Sequence, residues 1–292
     1  MSICKLCPRA CGIDRDIKAG FCASFEQASV SRVSLHMWEE PPISGERGSG
    51  TIFFSGCNLR CVFCQNKAIS RGDKDAKIYD ADSLASLMLS LEDMGAHNLN
   101  LVTPSHFVLP IAEALSKIKS RLTVPVVYNS SGYELVSTLK MLDGLVDVYL
   151  PDFKYASSEL SQKYSCAPDY PEIAAKALSE MYRQVGAVSF DEREMLLRGM
   201  IVRHLVLPSN RRDSIAVLDT LASILPIKDI RLSLMSQYTP EFATDCEYKE
   251  LHRRVTSFEY NSVLDHALSL GFEGYFQHRS SATASYTPDS KK

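Results

Sequence analysis

Seven of the nine cysteines in this 292-residue chain fall within its first 64 positions, in two groups with ligand-like spacing. Cys57, Cys61 and Cys64 stand three and then two residues apart. Three thiolates so spaced can wrap one face of a cubane iron–sulfur cluster, leaving the fourth iron open to a bidentate small molecule. Thiolates suit zinc as well, but a closed zinc site takes four ligands, and no His or Cys follows closely enough to complete this set. A zinc knuckle, or a cluster confined to electron transfer, is the plainer alternative. Cys4, Cys7, Cys11 and Cys22 supply four more thiolates within 19 residues, a segment too small to form its own core. Metal binding would supply the folding energy such a piece lacks. Structural zinc and an auxiliary iron–sulfur cluster fit this second, four-cysteine site equally.

The elements that must position these groups change character near residue 50. Residues 1–49 show no long periodic segment and end in the breaker-rich stretch Pro41-Pro42-Ile43-Ser44-Gly45-Glu46-Arg47-Gly48-Ser49-Gly50, which reads as a linker or ordered loop. Apolar, β-prone runs then recur at 51–54, 99–102, 124–128, 146–150, 201–207 and 229–234. Between them lie helical patterns over 81–94, 108–118, 133–142, 171–184 and 214–225, with a final helix expected over 248–271. Such alternation predicts an α/β fold of right-handed βαβ units around a parallel sheet. Six units suit a partial (β/α)6 TIM-type barrel, and a doubly wound open sheet fits the same pattern. Either places function at the C-terminal ends of the strands. Three parts are expected: a cysteine-rich segment 1–49, the α/β body with its C-terminal helix over 50–277, and a polar tail 278–292 that frays.

Composition narrows the partners. Apolar residues make up 45% and charged residues 23%, and a net charge of −3 gives no electrostatic case for nucleic acid or an anionic membrane. No apolar run is long enough to span a bilayer, and the first residues lack the apolar core of a signal peptide. A cytoplasmic location is expected. In a reducing compartment, closely spaced cysteines bind metal or do chemistry rather than form disulfides.

The segment Gly56-Cys57-Asn58-Leu59-Arg60-Cys61-Val62-Phe63-Cys64-Gln65-Asn66, with an aromatic before its last cysteine, resembles the signature of the radical S-adenosylmethionine (SAM) superfamily. It is similar to the cluster loop of pyruvate formate-lyase-activating enzyme and its relatives. The resemblance spans roughly residues 50–240. It implies a [4Fe–4S] cluster on Cys57, Cys61 and Cys64, with SAM chelating the open iron through its amino and carboxylate groups. One electron, from a flavodoxin or ferredoxin, would cleave SAM to methionine and a 5′-deoxyadenosyl radical that abstracts a hydrogen atom.

Further along, Asn129-Ser130-Ser131-Gly132 falls where the activating enzymes have D-T-N-G, and Asp152-Phe153-Lys154 resembles their D-L-K. The resemblance thus implies SAM-holding roles for Phe63, Ser130, Asp152, Lys154 and Arg203, and weakly for Tyr238; for Arg203 a salt bridge at the barrel mouth is an equal alternative. Asn129 replaces a carboxylate of the family's cation site. Val102-Thr103-Pro104-Ser105-His106 replaces a Gly-Gly-Glu turn, leaving Thr103 and Ser105 as hydrogen-bonding groups there. His106 reads as a helix-cap or surface residue more readily than as a site residue. The N-terminal cysteine motif and Leu35-His36-Met37-Trp38-Glu39-Glu40-Pro41-Pro42-Ile43-Ser44-Gly45 look like the PflX-type branch of activating-enzyme-like proteins.

Trp38 is expected to pack the N-terminal segment over the barrel mouth; Glu39 and Glu40 read as structural, with an exposed acidic pair or substrate-facing groups as the alternatives. The expected function is an oxidoreductase-type radical SAM enzyme resembling glycyl-radical-enzyme activases, with a glycyl radical enzyme as the implied partner. Radical modification of a small molecule or peptide, and a non-catalytic metal-binding or electron-transfer protein, are the alternatives.

Overall fold

The computed structural model describes residues 3–277; the tail expected over 278–292 lies outside them. Strand β1 (Ala28–His36) is followed by a single helical turn, α1 (Pro41–Ser44), and by β2 (Ser49–Phe54). Beyond the cysteine loop come α2 (Lys67–Ser70), β3 (Lys77–Tyr79), α3 (Ala81–Asp93), β4 (Leu99–Val102) and α4 (Val108–Ile118). Then follow β5 (Val126–Ser130), α5 (Val136–Leu139), β6 (Val148–Pro151), α6 (Ser158–Ser165) and α7 (Tyr170–Val185). The chain continues through β7 (Ser189–Phe190), β8 (Leu196–Leu205), α8 (Arg211–Ile224), β9 (Arg231–Met235), α9 (Ser257–Leu270) and β10 (Gly274–Phe276).

The six expected strands pair in parallel in the order β2-β4-β5-β6-β8-β9. They form a partial (β/α)6 barrel, extended by β10 at one edge and by β1 and β3 at the other. Side chains alternate across it. Ile52, Leu101, Tyr128, Tyr149, Val202 and Leu234 join the main core beneath the helices. Val127, Val148, Leu150 and Ile201 point the other way and close around Ile43 of α1. Ile43 is fully buried, a contribution of about 1.5–3 kcal/mol. Because His36 of β1 pairs with Ser49 at the start of β2, the segment between them lies at the N-terminal end of the barrel, which α1 plugs.

Three local expectations need correction. Residues 1–49 do contain a long regular element, the nine-residue β1. An irregularity between Val30 and Arg32 breaks its register with β2, and with it the alternation that marks a strand. The breaker-rich stretch, expected as a linker or ordered loop, is ordered but holds the helical turn α1 and the start of β2, since Pro41 starts α1 rather than interrupting it. The last helix begins at Ser257, not 248, because Thr256 and Glu259 form a reciprocal capping box there.

Candidate active site

The cysteine loop leaves β2 through Gly56, whose φ of +87° is left-handed. A Cβ there would stand 2.2 Å from the carbonyl oxygen of Cys22 and 2.3 Å from Ser24 Oγ. Only glycine lets the two cysteine segments approach so closely. One residue on, the Cys57 N–H donates to the Cys22 carbonyl (3.2 Å). The far side of the loop is pinned by the Arg60 and Val62 N–H groups, which donate to the carbonyls of Ser165 (3.2 Å) and Tyr164 (2.9 Å). Asn58 is fully buried and donates to the Tyr133 carbonyl at 2.7 Å.

So held, Cys57, Cys61 and Cys64 all line one cavity of about 390 Å³. Leu59 N–H points at Cys57 Sγ (3.4 Å), and Ser165 Oγ donates to Cys61 Sγ (3.0 Å). Burial, reinforced by Cys61, pushes the Cys57 thiol up to about 12. Burial also raises Cys61, with Lys154 pulling the other way. Bare thiols here stay protonated at neutral pH, so thiolates require a cationic centre to stabilise them. Three cavity-facing sulfurs with N–H and O–H donors aimed at two of them fit a thiolate-bound cluster. Among the described residues, no three His, Cys, Asp or Glu side chains converge tightly enough to share one metal ion. The sulfurs of a cubane bind separate irons and stand further apart.

The cavity wall is built from strand ends. Thr103, Ser130, Asp152, Lys154 and Arg203 all line it, as does Phe63 from the loop. Thr103 has a left-handed φ of +59° and donates its N–H to the Asn129 carbonyl (2.9 Å). Gly132 (φ +73°) lets the turn after β5 close on β6, where a Cβ would lie 2.3 Å from the Asp152 carbonyl oxygen. Lys154 forms an ion pair with Asp152. Burial opposes the Lys154 charge, but Asp152 and then Cys61 outweigh it and hold the ammonium above its usual range.

Arg203 is engaged by Glu39 and Glu40, whose side chains are only 10% and 7% exposed. Its Nε donates to Glu40 Oε1 at 2.8 Å, and its Nη2 serves both carboxylates. Burial would raise the Glu40 carboxyl, but the guanidinium reverses this and holds it low. The acidic pair expected to be structural thus forms part of the cavity wall.

Other residues fall elsewhere than expected. His106 is neither a surface nor a cap residue: it is buried, with a ring nitrogen 2.8 Å from the Ser55 carbonyl oxygen, and burial lowers its pKa to about 3. Tyr238 does not line the cavity. Its ring packs edge-on against Phe63 at 6.0 Å, and its hydroxyl donates to the Leu251 carbonyl (2.7 Å). Trp38 stands at the cavity rim, 61% exposed.

Of the N-terminal cysteines, Cys11 and Cys22 approach one another at Gly20. A Cβ on Gly20 would lie 3.4 Å from Cys22 Sγ and 3.6 Å from Cys11 Sγ, and Phe21 N–H points at Cys11 Sγ (3.4 Å). Cys7 is buried, which pushes its thiol up to about 12. Two arginines that spacing alone did not single out dock this segment. Arg9 donates to the carbonyls of Asn58 (2.8 Å) and Cys166, and its guanidinium stacks 4.0 Å above Phe21. Arg15 donates to the carbonyls of Ser24 and His106.

A family model described as the radical SAM superfamily matches residues 51–190. The uncharacterised protein MJ0674 of Methanocaldococcus jannaschii is 31% identical over 274 residues, covering 90% of this chain and 73% of that protein. Among solved structures, a radical SAM methyltransferase from Sphaerobacter thermophilus aligns with a TM-score of 0.51 at 15% identity. The alignment covers 78% of this chain and 66% of the methyltransferase. Streptococcus suis SuiB, bound to its precursor peptide SuiA, aligns with a TM-score of 0.50 at 15% identity, over 76% of this chain and 46% of SuiB. The chain thus spans about two-thirds of one of these structures and under half of the other, and at such identity both speak to the fold alone. With the family match running from β2 through the cysteine loop to the ends of β4, β5 and β6, and the 31% identical relative covering most of the chain, the chain belongs to the radical SAM superfamily.

Proposed function

We propose that this protein is a radical SAM enzyme that breaks an unactivated C–H bond, with Cys57, Cys61 and Cys64 holding a [4Fe–4S] cluster. The observation that carries the reading is the convergence of those three thiols with Ser130, Asp152 and Lys154 on one cavity at the C-terminal ends of parallel strands. When bound at these cysteines, such a cluster would supply the electron for reductive cleavage of SAM. The chain's own part is to bind and to orient. Lys154 offers a buried ammonium to a carboxylate, Ser130 and Thr103 offer hydroxyls, and Phe63 offers an apolar wall. A low-potential flavodoxin or ferredoxin is the proposed electron donor, and Cys4, Cys7, Cys11 and Cys22 a second metal centre.

The test is anaerobic reconstitution followed by reduction with SAM present. Formation of 5′-deoxyadenosine is expected. Its absence from protein carrying a full [4Fe–4S] cluster would leave a non-catalytic cluster protein. The motif resemblance favours an activase-like role, for which a glycyl-radical EPR signal on a partner protein is the specific readout.

A smaller effect is expected at Ser165. Tyr155 and Ser165 share a hydrogen bond (2.8 Å), and Ser165 passes one on to Cys61 Sγ. Donors to cluster sulfurs raise the reduction potential. A hydrogen bond of ~1 kcal/mol corresponds to roughly 40 mV for one electron, so Ser165→Ala should lower the cluster midpoint by tens of millivolts. An EPR redox titration checks this, and an unchanged midpoint would mean that Ser165 serves only to hold the loop.

A further inference from the structure

Three arginines gather outside the cysteine loop without a carboxylate to meet them. The Arg9 and Arg60 guanidiniums both stack on Phe21, 4.0 Å and 4.2 Å from its ring centroid. Their hydrogen bonds end on neutral backbone carbonyls, among them those of Ser165 and Cys166 for Arg9 and of Cys57 (2.9 Å) for Arg60. Arg71 follows α2 and is exposed. After burial, the like charge of Arg71 does most to lower the Arg60 pKa, and Arg9 adds to it. Among the described residues, no carboxylate lies within ion-pairing distance of any of the three. Like charges held together in this way repel one another and project a positive field into the solvent.

A second observation concerns the same place. Ser165 Oγ donates to Cys61 Sγ at 3.0 Å, and the next residue, Cys166, is exposed. One hydrogen bond and one peptide link therefore join a proposed cluster ligand to the surface. Arg9 holds the Cys166 carbonyl, so the arginines stand around the point where this route emerges. Neither Cys166 nor the three arginines line the cavity, which is left to SAM and substrate. Electron tunnelling falls steeply with distance, so a donor seated here delivers its electron by a short path. Encounters between electron carriers and their partners bury little area and are oriented by charge.

We propose that Arg9, Arg60 and Arg71, grouped around Cys166, form the docking surface for an acidic one-electron carrier protein that reduces the cluster. This rests on reading Cys57, Cys61 and Cys64 as cluster ligands. In each encounter one electron leaves the reduced carrier and enters the oxidised cluster, and no bond forms or breaks. The carrier's carboxylates supply the missing counter-charge and steer its approach.

The test mixes the reconstituted full chain and SAM, in stopped flow, with a flavodoxin in its hydroquinone state or with the methyl viologen radical cation. Electron transfer is read from oxidation of the reductant. With flavodoxin it should slow about 10-fold or more as ionic strength rises from about 0.05 M to about 0.5 M. At the lower ionic strength Arg71→Glu should slow it about 10-fold. Cys166→Asp should slow it too, and Cys166→Asn should not. Both replacements suit the left-handed backbone there (φ +53°), so the pair isolates the charge. Arg193→Glu makes the same charge change as Arg71→Glu, on the turn between β7 and β8 at the α1 end of the barrel, and should have little effect. No variant should slow transfer from the viologen cation. Flavodoxin oxidation that is insensitive to salt, or equal in Arg71→Glu and Arg193→Glu, overturns the proposal. So does slowing of flavodoxin and viologen alike in Arg71→Glu, since the arginines would then only offset the charge of the cluster. A wild-type protein that accepts the electron but forms no 5′-deoxyadenosine fails the radical SAM reading and leaves the docking surface standing.

Discussion

Cys61→Ala should lose its cluster and reduce 5′-deoxyadenosine formation by more than about a thousandfold, the equivalent of at least ~4 kcal/mol of barrier. Cys61 is the middle of the three proposed ligands, and its sulfur takes the Ser165 hydroxyl from across the loop. Two remaining thiols can hold a cubane only weakly, and an open iron has no function without it. The loop itself should survive. Its course is set by Gly56, by the Asn58 amide and by the Arg60 and Val62 N–H groups, none of which involves the Cys61 side chain. Circular dichroism and thermal unfolding should therefore change little, while iron content and activity fall together.

Total iron is ambiguous alone, because Cys4, Cys7, Cys11 and Cys22 are a proposed second metal centre. Cys7→Ala resolves this. If that site holds an iron–sulfur cluster, each variant loses one of two clusters, and only Cys61→Ala loses the EPR signal that SAM perturbs. If it holds zinc, Cys61→Ala loses all iron and Cys7→Ala loses the zinc. Cys166→Ala, altering an exposed cysteine, should retain everything. Normal iron and a normal SAM-perturbed signal in Cys61→Ala would undo the ligand assignment.

The features legible in the sequence are those written locally. The strand cores at 99–102 and around 126–130 announce themselves by β-branched and apolar runs, and the cysteine spacing is itself a ligand geometry. Strand β1 is hidden by its register irregularity, and the start of the last helix by a 3₁₀ turn ahead of its cap. Most of what was missed in the cavity depends on contacts between distant residues. Glu39 and Glu40 meet Arg203 more than 160 positions away, and no periodicity reports that. Arg9 reaches Cys166, and Arg15 reaches His106, through backbone carbonyls, which carry no sequence signature at all. His106 appears solvent-facing from its place after a strand, yet the N-terminal segment covers it.

Arg203→Met should destabilise the protein by about 3–5 kcal/mol at neutral pH, because it strands two nearly buried carboxylates without their cation. For a chain of this size that is on the order of 10 °C in melting temperature. The pH dependence identifies the cause. In the wild type, Arg203 overcomes burial and holds Glu40 below its ordinary value. That contribution is complete above the unfolded carboxylate range and is lost as pH falls through the depressed folded value. In Arg203→Met, the guanidinium no longer offsets burial, and with only the Ser233 and backbone hydrogen bonds left to hold it down the Glu40 carboxyl rises. Protonating it then removes that buried charge, so the variant should gain stability relative to the wild type as the pH falls from about 7.5 towards about 4.5. The gap between the two melting curves should be widest at neutral pH and narrow with acid. Glu40→Gln combined with Arg203→Met should recover part of the loss at neutral pH and flatten the trend, because one stranded charge is gone. A gap that stays constant with pH would instead assign Arg203 to packing and remove its ion cluster with Glu39 and Glu40 from the account of this cavity.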